Sequence, residues 1–117
     1  MTESQVYQRF VRPDLQRRDC FFQRIEQPHT PDIYISRDGK VLWAELKVIN
    51  RLQRGTVKPD WRIGQLQWIK VHEGYNEGHV CLILYYDGEV MYLEPKEQYQ
   101  PEELQCQKNH YFLKLGL

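Results

Sequence analysis

The sequence predicts an α/β domain, and three observations carry that prediction. Asp38-Gly39 stands between two runs of alternating apolar and polar residues, the pattern of a two-residue β-hairpin. The run from His79 to Tyr86, HVCLILYY, is almost continuously apolar, as for a strand buried on both faces. Segments with helical start and stop signals precede the first strands and separate the hairpin from that buried run. The resulting order is helix, three strands, helix, strand or hairpin, and tail.

The chain has 117 residues, which suggests one domain spanning 1–117 with one core. A hydrophobic content of 41% with 13% aromatic residues argues for a folded globule over a disordered chain. No apolar run approaches the roughly 20 residues of a membrane span, and no signal peptide is visible. Cys20, Cys81 and Cys106 lie far apart without metal-ligand spacing, which points to reduced thiols in a cytoplasm-like compartment. The formal net charge is zero, so there is no global nucleic-acid signature. The charge is unevenly spread, however. Lys47, Arg51, Arg54, Lys58 and Arg62 are opposed only by Asp60, whereas Asp87 to Glu103 is strongly acidic.

Thr2-Glu3-Ser4-Gln5 fits a capping box, so a short helix is expected to run to about Val11 and stop before Pro13. Glu3, Val6, Tyr7 and Phe10 share one stripe at helical spacing, which turns Glu3 inward. Residues 14–19 form a connection or an extra helical turn. Cys20 to Glu26 reads as a strand. Gln27-Pro28-His29 reads as a loop whose histidine could touch substrate.

The hairpin follows. Counting outward from Asp38-Gly39 pairs Arg37 with Lys40, Ser36 with Val41, Ile35 with Leu42, Tyr34 with Trp43, Ile33 with Ala44 and Asp32 with Glu45. Alternation puts Ile33, Ile35, Leu42, Ala44 and Leu46 on one face and Asp32, Tyr34, Trp43, Glu45 and Lys47 on the other. Two carboxylates thus oppose each other at about 5 Å, where repulsion is on the order of 3 kcal/mol at an effective dielectric near 20. A divalent cation between them removes the conflict, and Mg²⁺ or Mn²⁺ suits hard oxygen ligands. Lys47 lies one step further along the same face.

Residues 50–59 read as a flexible loop with Gly55 and Pro59 as breakers. Asp60 is an expected N-cap for a helix from about Trp61 to Glu73, ended by Gly74. On it, Trp61, Gln65, Trp68 and His72 form one stripe. A glutamine among aromatic residues needs partners for its amide. Asp87-Gly88 signals a second hairpin between His79–Tyr86 and Glu89–Glu94. A short helix is expected from Pro101 to about Gln107. His110–Leu115 is apolar enough to pack back, or to form an edge strand or dimer contact.

Pro31-Asp32, the hairpin and Glu45-Leu46-Lys47 together resemble the PD-(D/E)XK nuclease superfamily. Gln65 and Trp68 extend the likeness to its compact members, the virus-type replication-repair nucleases and Holliday-junction resolvases. Ala44-Glu45-Leu46-Lys47 departs from the more typical Glu-Val-Lys wording of the viral type. The resemblance implies a restriction-endonuclease-like core, α-β-β-β-α-β, with a mixed central sheet flanked by helices. It implies Mg²⁺- or Mn²⁺-dependent hydrolysis of DNA, branched or single-stranded, by a structure-selective endonuclease of repair, recombination or phage replication. In that scheme Asp32, Glu45, the Leu46 carbonyl and Glu3 hold metal. Asp32, Glu45, Lys47 and Gln65 are catalytic, and Arg51, Arg54, Lys58 and Arg62 bind phosphates. A homodimer, two active sites related by a twofold axis, is the simplest way for so small an enzyme to cut both strands. The competing expectation is a noncatalytic nucleic-acid-binding or interaction module that keeps the fold.

Overall fold

The hairpin read from Asp38-Gly39 forms the middle of the structure. In the computed structural model, which describes residues 1–26, 32–75 and 79–116 (the side chains of 72–75 and 115 excepted), β2 (Ile33–Arg37) and β3 (Lys40–Val48) pair antiparallel. Asp38 and Gly39 both take positive φ, 51° and 77°, as a type I′ turn requires. The register is the one counted from the sequence, from Arg37 opposite Lys40 to Ile33 opposite Ala44. Strand β1 (Phe21–Arg24), shorter than the expected Cys20–Glu26, pairs antiparallel with β2. Strand β4 (His79–Tyr86) lies parallel to β3, and β5 (Glu89–Leu93) returns antiparallel to β4. The sheet order β1-β2-β3-β4-β5 is therefore mixed, with β3 at its centre. A parallel β3–β4 pair needs a crossover, which helix α3 (Gln65–Tyr75) supplies.

The sheet separates two cores, and this explains the run of apolar residues in β4. One core joins Ile33, Ile35, Leu42, Ala44 and Leu46 to Cys81, Ile83 and Tyr92 under the N-terminal helical segment. The other joins Leu82, Leu84 and Tyr86 to Met91, Leu93, Val57, Tyr99 and Leu104. Successive β4 side chains point alternately into each.

The N-terminal capping box is present: Thr2 Oγ1 accepts from the Gln5 N–H, and the Gln5 side chain accepts from the Thr2 N–H. The helix does not stop before Pro13. It runs through α1 (Glu3–Val6), a π-helical turn (Tyr7–Val11) and α2 (Arg12–Arg17). A proline inside a regular helix loses a donor and collides with the carbonyl four residues back. The wider turn, in which the Arg12 N–H donates to the Tyr7 carbonyl, places Pro13 in the first turn of α2, where no donor is required.

Helix α3 also differs from expectation. It starts at Gln65 instead of Trp61 and continues through Gly74 to Tyr75, so Asp60 is not its N-cap and Trp61 is not on its stripe. The His72 side chain, Pro31 and the Gln27-Pro28-His29 loop lie outside the described residues. Residues 50–59 form an irregular loop, as expected, that is tied to the body of the domain at two points. Val57 is fully buried and bridges Tyr99, and the Gln53 N–H donates to the Tyr86 hydroxyl at 2.8 Å. Helix α4 (Pro101–Gln107) forms as expected. His110–Leu115 forms helix α5, not an edge strand, and inserts Tyr111 and Phe112 into the first core.

Candidate active site

The polar face of the hairpin carries the site. Asp32 stands one residue before β2 and is held on two sides. Its carbonyl accepts from the Ile25 N–H at 2.7 Å, and its Oδ2 accepts from the Leu46 N–H at 2.9 Å. A further register step places Asp32 opposite Glu45, and the two carboxyls lie within hydrogen-bonding reach of each other. In a strand the N–H and C=O of one residue point the same way, so the Leu46 carbonyl also points to the Asp32 side.

Glu45 is only 8% exposed, as is Lys47. Burial first, and then the Asp32 charge, push the Glu45 carboxyl up to about 8, against the pull of Lys47 and of the Gln65 amide. Gln65 Nε2 donates to Glu45 Oε1 at 2.7 Å, while Gln65 Oε1 accepts from the Arg62 N–H at 3.0 Å. The glutamine is therefore fixed at both ends and bears on Glu45 directly. The Lys47 ammonium lies 5.6 Å from the centre of the Trp61 ring, within cation–π range. Trp61 is held in turn by its indole N–H, which donates to the Lys96 carbonyl at 2.9 Å. This wall of the site was not foreseen. Helical spacing assigned Trp61 to α3, and nothing in the local sequence marks a residue in the preceding loop as a partner of Lys47.

Glu3, the first residue of α1, reaches the same region from the other side. Burial and then the Asp32 charge raise its carboxyl, while Lys47, Arg24 and Arg62 lower it. Among the described residues, no group of three His, Cys, Asp or Glu side chains is gathered closely enough to cage a cation. Glu3 thus stands beside the Asp32–Glu45 pair without closing it. Arg51, Arg54, Lys58 and Arg62 are all exposed and carry no ion pair among the described residues.

The donor set fits a hard divalent cation: two opposed carboxylates and a backbone carbonyl on the same side. A half-buried and a buried carboxyl face each other here, and a positive ion between them would offset both the burial and the repulsion.

No family model matches the chain, and no curated protein matches it. Among solved structures it is similar to Hjc of Archaeoglobus fulgidus, a Holliday junction resolvase from an archaeal hyperthermophile. The TM-score is 0.69 at 10% sequence identity, over 95% of this chain and 98% of that one. The five-stranded mixed sheet, its flanking helices and this match together give the chain the restriction-endonuclease-like α/β fold.

Proposed function

We propose that this protein is a divalent-metal-dependent nuclease that hydrolyses DNA phosphodiester bonds, a structure-selective endonuclease of repair, recombination or phage replication. The observation that carries the reading is the close approach of the Asp32 and Glu45 carboxyls on a buried sheet face, with Lys47 one step along. The resolvase-like fold supports it.

Asp32, Glu45 and the Leu46 carbonyl would hold Mg²⁺ or Mn²⁺, with Glu3 close enough to join through solvent. When bound, such an ion lowers the pKa of water and offsets phosphate charge. The protein's own groups do the rest. The Leu46 N–H and Gln65 Nε2 hold Asp32 and Glu45 in place, so that neither carboxylate rotates away. Lys47, desolvated against Trp61, presents an ammonium to the charge that develops on the phosphoryl oxygens. Arg51, Arg54, Lys58 and Arg62 offer phosphate contacts, which give affinity without sequence reading. Branched or single-stranded DNA is the proposed partner, and a homodimer is the proposed form on branched substrates.

The test is cleavage of plasmid, single-stranded and four-way-junction DNA in Mg²⁺, Mn²⁺ and EDTA. Cleavage should require the ion and disappear in Lys47→Ala. Ion-independent cleavage, or equal cutting by Lys47→Ala, would refute the proposal.

A further inference from the structure

The same sheet face that holds Asp32 and Glu45 continues into a row of aromatic rings, one from each of three adjacent strands. Trp43 lies two residues before Glu45 on β3, and Tyr34 two residues after Asp32 on β2. Each is one side-chain step, about 6.7 Å, from the carboxylates. Phe21 on β1 completes the row: Phe21 opposes Ser36, whose side chain shares the face of Tyr34. The rings touch in sequence, Trp43 to Tyr34 at 5.0 Å between centroids and Tyr34 to Phe21 at 6.2 Å. The contacts are edge-to-face, so they do not consume the outer ring faces.

Packing alone does not account for this row. Phe21 is 61% exposed, and neither Tyr34 nor Trp43 is buried. The opposite face of the same strands buries Ile33, Ile35 and Leu42 almost completely, so there was no shortage of interior for large apolar groups. Beside the rings opens a shallow cleft of about 390 Å³, walled by Phe21, Tyr34 and Val41 and edged by Ser36, Arg37 and the carboxylates of Asp19 and Asp38. Arg37 faces Asp38 at 3.4 Å and donates to the Arg18 carbonyl at 2.9 Å, so beside the apolar rings the rim offers both donors and acceptors to the polar edge of a flat heterocycle.

We propose that Phe21, Tyr34 and Trp43 form a stacking platform for unpaired bases next to the cut phosphate. The substrate is then DNA with a single-stranded segment at the cleavage point. This deepens the nuclease reading and rests on it. A chain whose phosphate sits at Asp32 and Glu45 places its neighbouring base one step away, over Tyr34 or Trp43, and a further base at Phe21 and its cleft. Bases inside an intact duplex cannot reach these rings, because their faces are already stacked. A second copy of the chain seated on the row would cover the approach to Asp32 and Glu45, which hydrolysis needs open.

The test is equilibrium binding in EDTA, so that nothing is cut. It compares a blunt DNA duplex with one carrying an unpaired tail that holds 2-aminopurine. Wild type should bind the tailed DNA about 10-fold more tightly and quench the probe. Phe21→Ala should lose both effects while binding blunt duplex as before, and Phe21→Trp should restore them. Equal affinity for both DNAs, an unchanged preference in Phe21→Ala, or a dimer that Phe21→Ala abolishes would each overturn the platform. If both DNAs bind equally and Mg²⁺-dependent cleavage persists, only the platform falls. If neither DNA binds, the nuclease reading falls with it.

Discussion

Two polar clusters lie on opposite faces of one sheet, and they treat buried charge in opposite ways. In the first core, Asp14 is met from every side: Arg17 and Arg18 pair with it, and the Tyr92 hydroxyl donates to it at 2.8 Å. Arg18 is satisfied as well. Its guanidinium donates to Asn109 Oδ1 at 3.1 Å and lies 4.1 Å from the Phe112 ring centre. Here the one carboxylate meets two cations and a hydroxyl, and burial pushes the Tyr92 hydroxyl far up, so it remains a donor. On the other face Asp32 and Glu45 are turned toward each other, with two carboxylates to the one lysine, Lys47, a step along the strand. A cluster that serves folding pairs its charges. On the reading proposed above, the cluster that leaves like charges together at the centre of the sheet is completed by a cation that is not part of the chain.

The same substitution in both clusters gives the sharpest contrast. Asp32→Asn should cut DNA cleavage at least 100-fold, the scale on which one group aimed at the reacting charge acts. Thermal stability without metal should hold or rise, because one of two repelling carboxylates is gone. Asp14→Asn should do the reverse. Cleavage by the folded protein persists, and urea denaturation shows a loss of about 2 kcal/mol as Arg18 loses its counter-charge in a half-buried place. If Asp14→Asn abolished cleavage in a fully folded protein, the division between the clusters would fail.

Gln65→Ala should reduce cleavage about 10- to 100-fold, as for residues that orient a metal ligand, and should weaken Mg²⁺ binding measured by calorimetry. It leaves the second core untouched, so the urea midpoint should move little.

A further contrast is one of pH. The folded Glu45 carboxyl lies above its ordinary value of 4.5, so between there and about 8 the folded state binds more protons than the unfolded. Stability in EDTA should therefore fall as pH rises through that window. Mg²⁺ requires the deprotonated pair, so its stabilising effect should grow over the same window. Melting temperature against pH, with and without Mg²⁺, checks both signs. Glu45→Gln should flatten the EDTA curve.

These contrasts were unevenly readable from the chain. Asp38-Gly39 dictates a turn in which both residues take positive φ, and strict alternation then assigns every side chain of β2 and β3 to a face. The opposition of Asp32 and Glu45 follows by counting. The helices were read less well because local signals compete there. Pro13 reads as a stop, yet the π-helical turn absorbs it. Asp60 reads as a cap, yet the Arg62–Gln65 turn starts α3 instead. The cluster at Asp14 is only partly local: Arg17 and Arg18 stand three and four residues on, but Tyr92 and Asn109 come from far along the chain.

What the sequence determined alone was therefore whatever a two-residue period and a tight turn could propagate: the hairpin, its polar face, and the order of Asp32, Glu45 and Lys47 upon it. Only the tertiary structure decided how buried that face is, that Gln65 grips Glu45, that Trp61 backs Lys47, and that Phe21 extends the aromatic row. Those contacts join segments distant along the chain. Their geometry comes from how α3, the loop before it and β1 settle on the sheet, and no local repeat encodes that.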